Sequence, residues 1–524
     1  MNNWLRNFLY LSTSCFVLGF TPLLSIWTDP VDIFATQSVD DPAIALDASG
    51  NALVIASISD DLSTFYEKTA KIVQGVVQST QAFTPIGTNE CENVIAVNDQ
   101  GNGLAAWLEI DNNTSNLGIL GTYYNGSTWE SPTVLTDAIN FNVQGGLFPG
   151  INLDNSNKGL VSWIAFNNNT SQYHVQFNRY AGGWSSPQDI YVNPSFLSTQ
   201  SFSGSSSGKA ITAWYNFSPY QLQAATFDGV SWTTTNLSTD VFSTCSPFLD
   251  VSMNNSSNAI ILWNNQSSAG LSSISYINGS YTAPQIVYSP PVNEDIADAK
   301  IVLDDQGNAI ALWSAYNFDI NKYKLMANRS VGGFWGTPVI LEINDNVYFS
   351  LNIDADSVGN AYAVWQNFND STSAVYYQYF NRNTSAWLNA PVLLSQPQIN
   401  TTQPFLSMNA SGQATVAWAA GDADPIVQAV FSLLIQPPQK LTGKQVKNHF
   451  LIQTDIVNIL NWTPSLTTSI VKYNIYRDGV LINSTTSSTY QDHHRKKNVS
   501  YFYSVTSVNA QGTESDPVTI VLPN

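Results

Sequence analysis

Carboxylates and indoles are the groups in this chain whose types and spacing could do chemistry. Asp47, Asp99, Asp154, Asp304 and Asp356 each stand in a short turn rich in Gly, Ser and Asn. Recurring aspartates invite a calcium reading, but each turn offers one or two carboxylates and no Asp-x-Asp-x-Asp spacing, too few oxygens for a Ca²⁺ cage. They are expected instead to cap their own turns by accepting backbone N–H groups. A second set of acids belongs to longer connections: Asp60, Asp61, Glu109, Asp111, Glu294, Asp295, Asp298, Asp319, Glu342 and Asp345. These are expected to form an acidic loop face that binds a partner, because specificity usually resides in variable loops on a constant frame. Two acids meeting across the fold would add general acid–base chemistry, a pairing that linear sequence does not display. Trp129, Trp184, Trp232, Trp335 and Trp387 each follow a hairpin turn and are candidate rim platforms for stacking on a ligand.

Other chemistries fail for want of residues. Among four histidines, His174 is alone in the first 448 residues, so a Ser/His/Asp triad is not supported. Cys15, Cys91 and Cys245 form no CxxC and no ligand cluster, which argues against zinc and against a disulfide framework. No metal and no cofactor is expected. The net charge is −19, and residues 1–436 carry 11 Lys/Arg against 33 Asp/Glu. A body so acidic is a poor partner for nucleic acid. Charged residues make up 11% and aromatics 12%, a composition that folds rather than staying disordered.

The elements that position these groups come from a repeat. DDQGNAIALW (304–313) has counterparts in NDQGNGLAAW, NSNKGLVSW, SSSGKAITAW, NSSNAIILW, DSVGNAYAVW and NASGQATVAW, while LDASGNALVIA keeps the turn with Ala56 in place of Trp. The turn residues Gly50, Gly101, Asn157, Gly208, Ser257, Gly307, Gly359 and Gly412 are 49 to 56 residues apart. Each unit reads as four strands: an alternating strand such as Ile301-x-Leu303, the run ending in Trp, a third strand into a turn, and a W-x-x-P-x-x-L strand. That is one propeller blade. The eighth unit lacks its fourth strand, and WTDPVDIF (27–34) is that strand placed before the first unit. The spacing therefore predicts an all-β chain with an eight-bladed β-propeller over residues 27–435, closed by its N-terminal strand.

Residues 1–26 read as a signal peptide or an anchor, with no later transmembrane span. After the Pro-rich linker 436–440, residues 441–524 contain Trp462, Tyr473-x-Ile475-Tyr476, Tyr501-x-Tyr503-x-Val505 and Gly512-x-Glu514-Ser515. This segment resembles a fibronectin type III domain, which implies a β-sandwich. The whole resembles bacterial secreted proteins in which a propeller precedes such a domain. HHRKK (493–497) is read as a solvated basic loop.

Two enzyme families with similar repeats fit poorly. Sialidases use Ser-x-Asp-x-Gly-x-x-Trp and a central arginine cluster. Here Gly and Trp stand six apart, and Arg179, Arg329 and Arg382 share one turn position. Quinone-dependent dehydrogenases of eight blades use another Gly-to-Trp spacing and an adjacent cysteine pair, which is missing. The seven Trp residues that end the second strands are expected to fill wedges between blades. The sequence thus predicts a secreted or cell-surface, non-enzymatic binding and adhesion module, monomeric, with an unknown protein or glycan ligand. The alternatives are an envelope scaffold, a lectin-like glycan binder, and a glycosidase-like propeller enzyme whose acids meet in the channel.

Overall fold

Alternating apolar residues between Gly and Asn turns should give short antiparallel strands, and in the computed structural model every regular element among the described residues is a strand. The structure describes residues 27–523 apart from 35–37, 60–64, 84–87, 90–91, 112–113, 138, 145–147, 242–247, 267–268, 345–346, 370–371, 383, 388–389, 398, 422–424, 433–435, 451–452, 466–469, 498, 510–513 and 516. The expected signal segment 1–26 lies outside the described residues. The chain divides into one unit at Trp27–Leu433 and another containing Leu434–Asn524.

The first unit holds eight antiparallel sheets of four or five strands. Their first strands are Ser38–Leu46, Val94–Val97, Gly150–Leu153, Leu197–Gly204, Leu249–Met253, Glu294–Leu303, Val347–Ala355 and Phe405–Met408, numbered here as sheets 1 to 8. Each first strand packs against that of the next sheet, and the eighth packs against the first, so the cycle is closed. Val31–Phe34 pairs antiparallel with Ile426–Phe431 and supplies the outer strand of sheet 8. The strand missing from the end of the repeat is therefore the one at its beginning.

Each turn is built as its residues dictate. Asp304 Oδ1 accepts the N–H groups of Gln306 at 2.9 Å and Asn308 at 2.8 Å, and Oδ2 accepts the Asn308 amide. Gly307 sits at φ +81°, where glycine carries no steric penalty. The seven repeat tryptophans are at most 2% exposed. Trp163 shares a core with Leu104, Ala106 and Leu108 of sheet 2, and Trp313 with Ile260 and Leu262 of sheet 5. They are wedges between neighbouring sheets. In sheet 1 the small Ala56 faces Ala417 and Ala419 of sheet 8.

The fourth strand differs from the expectation in several sheets. In sheet 5 it is split into Ser280–Tyr281 and Gln285–Tyr288, and in sheet 6 into Phe334–Trp335 and Val339–Asn344. Pro284 and Pro338 fall in the gaps; proline has no N–H to give the ladder, so pairing breaks there and resumes.

The second unit has a three-stranded sheet, Gln439–Phe450, Gln453–Thr463 and Thr489–Asp492, and a four-stranded sheet ordered Val480–Thr485, Ile470–Arg477, Tyr501–Asn509, Val518–Leu522. Leu460 and Trp462 from one and Tyr473, Ile475, Tyr503 and Val505 from the other form its core.

Phe34 is 2% exposed and lies in one core with Val427, Ala429 and Phe431. Phe34→Ala should destabilise the first unit by about 3–5 kcal/mol, the usual cost of deleting a buried phenyl ring. A loss below about 1 kcal/mol in denaturant unfolding would show that the closing strand is not seated as described.

Candidate functional site

The first strands of neighbouring sheets form no ladder with each other, so their inward N–H groups need other partners. Side chains of the preceding sheet supply them. Ser203 Oγ accepts from Met253 N at 3.0 Å, Ser252 Oγ from Leu303 N at 3.0 Å, and Ser407 Oγ from Leu46 N at 3.2 Å. All three serines stand five residues before their turn residue. Alternation places the residues seven and nine before it on the same strand face, toward the passage the eight strands enclose.

On one side of the cycle this lining is charged. Asp250 of sheet 5 accepts from Ile301 N at 2.8 Å, Asp298 of sheet 6 from Leu351 N at 3.1 Å, and Asp354 of sheet 7 from Met408 N at 2.7 Å. Lys300 Nζ stands 3.9 Å from Asp250 Oδ1, with the lysine side chain 39% and the aspartate 18% exposed. Burial raises the proton affinity of Asp250; Lys300 opposes that shift and the Asp298 charge adds to it. In turn, the Asp250 carboxylate raises the pKa of Lys300 against the effect of burial. Asp354 lies nearer the turn end. Burial pushes its carboxyl up to about 7, although one side still meets solvent. Across the cycle, Phe148 before sheet 3 and Phe405 of sheet 8 meet edge to face at 6.1 Å. Sheets 3 and 8 are not neighbours, so this aromatic pair crosses the passage.

Of the acids named from sequence, Glu109, Glu294 and Asp298 do not stand on an open loop face. Asp298 belongs to the passage, within a strand rather than a loop. Glu294 was expected on the open face but is 2% exposed, held by Lys324, Tyr288 and Asn317. Burial alone would raise its pKa; those donors hold it below the ordinary range. Glu109 is 3% exposed and accepts the Trp107 indole N–H at 3.3 Å. Both turn inward because each serves a buried donor. Asp111 accepts Thr114 N and Oγ1 in its own turn. Asp295 and Asp319 are exposed, the latter bonded by Asn293, and Glu342 is half-buried. Asp60, Asp61 and Asp345 lie outside the described residues.

Trp129 is 9% exposed, between Phe83 and Tyr124. Trp184, Trp232, Trp335 and Trp387 are half-buried; Trp184 packs on Tyr180, Trp232 on Phe177 and Phe227, and Trp387 on Phe380, while Trp335 donates to Ser273 Oγ. His174, solitary in sequence, meets Asp189 at 2.9 Å. Asp250, Lys300, Asp354, Phe148 and Phe405 were not singled out from sequence. The available signal was their odd spacing before the turn residue, which marks one strand face.

No family model matches the chain, and no curated protein is similar to it. Solved structures are similar at a low level. The β-propeller domain of the trilobed protease from Pyrococcus furiosus is 9% identical, over 69% of this chain and 98% of that one, with a TM-score of 0.39. An ulvan lyase of a polysaccharide lyase family is 9% identical over 76% and 95%, with a TM-score of 0.43. The α-L-arabinanase of Penicillium chrysogenum is 12% identical over 55% and 94%, with a TM-score of 0.35. The likeness is one of fold, all-β and propeller-like. The expectation of a non-enzymatic adhesion module is corrected at this point: two of these similar structures are carbohydrate-active enzymes. The acidic loop face behind that expectation also loses Glu109 and Glu294 to the interior.

Asp354 gives a pH test. Its folded pKa of about 7 lies above the ordinary 3.8, so the folded form holds the proton more tightly than the unfolded chain. The stability this confers is complete below about 4 and is lost as pH rises through 7. Thermal unfolding should show Tm falling from pH 4 to pH 7.5 in the wild type and a flatter profile in Asp354→Asn. Equal slopes in the two proteins would refute the assignment.

Proposed function

We propose that this protein is a carbohydrate-active enzyme, a glycan hydrolase working at the mouth of the passage lined by the first strands. The observation that carries the reading is the Asp250–Lys300–Asp298 group: two electrostatically coupled carboxylates with a cation 3.9 Å from one of them. Glycoside hydrolysis needs one carboxyl that retains a proton for the leaving oxygen and one carboxylate that activates water or attacks the sugar. Asp250, with its raised proton affinity, is the candidate acid, and Asp298, midway along its strand, is the candidate base or nucleophile. Lys300 compensates the charge of the pair and so acts by positioning and field. Across the passage, the Phe148–Phe405 pair offers apolar ring surface suited to the C–H face of a sugar.

The same reading takes the first unit as an eight-bladed propeller, supported by eight sheets in a closed cycle, and the second as a fibronectin type III sandwich, supported by its three-plus-four strand order. It keeps the expectation that residues 1–26 direct export.

The test is release of reducing ends from a panel of polysaccharides by the full chain between pH 4 and 9. Activity should appear on at least one polymer, and Asp250→Asn and Asp298→Asn should each lower it by about 10²–10⁴-fold, the usual worth of an acid or base. Activity undiminished in both variants, or none on any polymer, would overturn the proposal.

A further inference from the structure

A row of aromatic rings lies on sheets 3 and 4. Phe166 is 4.9 Å from Tyr173 between ring centres, Tyr173 is 5.2 Å from Phe196, Phe196 is 5.3 Å from Phe217, and Phe217 is 5.3 Å from Tyr220. Register fixes which end of the strands they occupy. Phe166 pairs with Tyr173 and Phe217 with Tyr220, close to the loops joining second and third strands. Phe196 directly precedes the first strand of sheet 4, as Phe148 stands just before that of sheet 3. The row therefore lies at the end of the strands opposite the turn glycines, and Asp298 stands midway along the first strand of sheet 6.

Phe196 is 41% and Tyr220 45% exposed, with Phe148 at 39% on the same end. Phe166, Tyr173 and Phe217 are half-buried beneath them, and a linked apolar patch of this kind marks an interaction site. Segments 165–173, 193–201 and 216–221, which carry the row, contain no Asp, Glu, Lys or Arg, but are rich in Asn, Ser, Thr and Gln. Elsewhere near this end the chain bears acids, such as Asp295 at the start of a strand and Asp319 in a connection. Rings flanked by uncharged amides and hydroxyls match a neutral polyhydroxylated chain, whose sugars present apolar C–H faces and hydrogen-bonding edges. An ionic polymer would call for charged partners, which these segments lack. The five rings run in sequence across two sheets, which suits a chain rather than a single sugar.

We infer that the Phe166–Tyr173–Phe196–Phe217–Tyr220 row binds uncharged polysaccharide and extends the substrate path outward from the acidic mouth. The link to catalysis rests on the hydrolase reading, whereas the binding itself does not.

The experiment is electrophoresis of the full chain, wild type and Asp298→Asn, through native gels containing arabinan, galactomannan, xyloglucan or polygalacturonate. At least one neutral polymer should retard the protein. Phe196→Ala/Tyr220→Ala should weaken that retardation at least fivefold with an unchanged Tm. Phe334→Ala, an exposed ring next to a turn at the opposite end, should leave it unaltered. Retardation by polygalacturonate alone, by no polymer, or equally in the double variant would overturn the assignment. So would concentration-dependent self-association that the double variant abolishes, which would make the row an interface between copies. Row-dependent binding without any hydrolysis would sink the hydrolase reading and leave this one standing; hydrolysis of short glycosides without polymer binding would do the reverse.

Discussion

The first unit depends on how the innermost strand of each sheet disposes of its inward backbone groups. A strand with no neighbour on one side leaves N–H groups that are costly to bury unpaired. Here the neighbouring sheet supplies an oxygen from a short side chain, as with Ser203 to Met253, Ser252 to Leu303 and Ser407 to Leu46. Asn side chains do the same work between turns: Asn254 bonds Asp304 O, and Asn409 bonds Asp47 O across the closure of the cycle. This explains why short polar residues alternate with large apolar ones in the first strand of many units. A longer side chain would overreach the gap, and an alanine, as at Ala45, offers no acceptor.

The same geometry brings acids into the passage. Aspartate is the charged counterpart of serine in reach, so Asp250, Asp298 and Asp354 fasten neighbouring strands as the serines do. Unlike serine, each brings a charge into a partly enclosed space. Lys300 compensates Asp250, whereas Asp354 answers by holding its proton to about pH 7. On the proposed hydrolase reading, structural fastening and acid–base chemistry fall on the same residues. Asp298 and Asp354 each also accept the N–H of the next residue, Ala299 and Ala355, so in both every carboxylate oxygen holds one backbone donor.

Away from the passage the constraint is volume. Sheets splaying from a common centre leave wedges that widen outward, and Trp107, Trp163, Trp214, Trp263, Trp313, Trp365 and Trp418 fill them at near-complete burial. Where the first sheet has Ala56, the apposed residues of sheet 8 are alanines too, and the terminal strand adds Ile33 and Phe34 to that core. Glu109 and Glu294 illustrate the cost side: each is buried only with donors around it, Trp107 for one and Lys324, Tyr288 and Asn317 for the other.

Sequence alone determined what is periodic: the strands, the Asx turns, the buried tryptophans and the fourth strand borrowed from residues 27–34. These are local or repeated features, and a repeat shows its own period without any knowledge of contacts. It also supplied Asp298, but as one loop acid among ten, because strand face and loop are not distinguished by residue type. The grouping of Asp250 with Lys300 and Asp298 and the meeting of Phe148 with Phe405 join residues 48 to 257 positions apart, and the row from Phe166 to Tyr220 crosses from sheet 3 to sheet 4 at Tyr173 and Phe196. Only closure of the cycle decides these, since closure sets which strand faces look at each other. The inward turn of Glu109 and Glu294 was likewise decided by tertiary structure, because a carboxylate is buried only where a donor from another strand meets it.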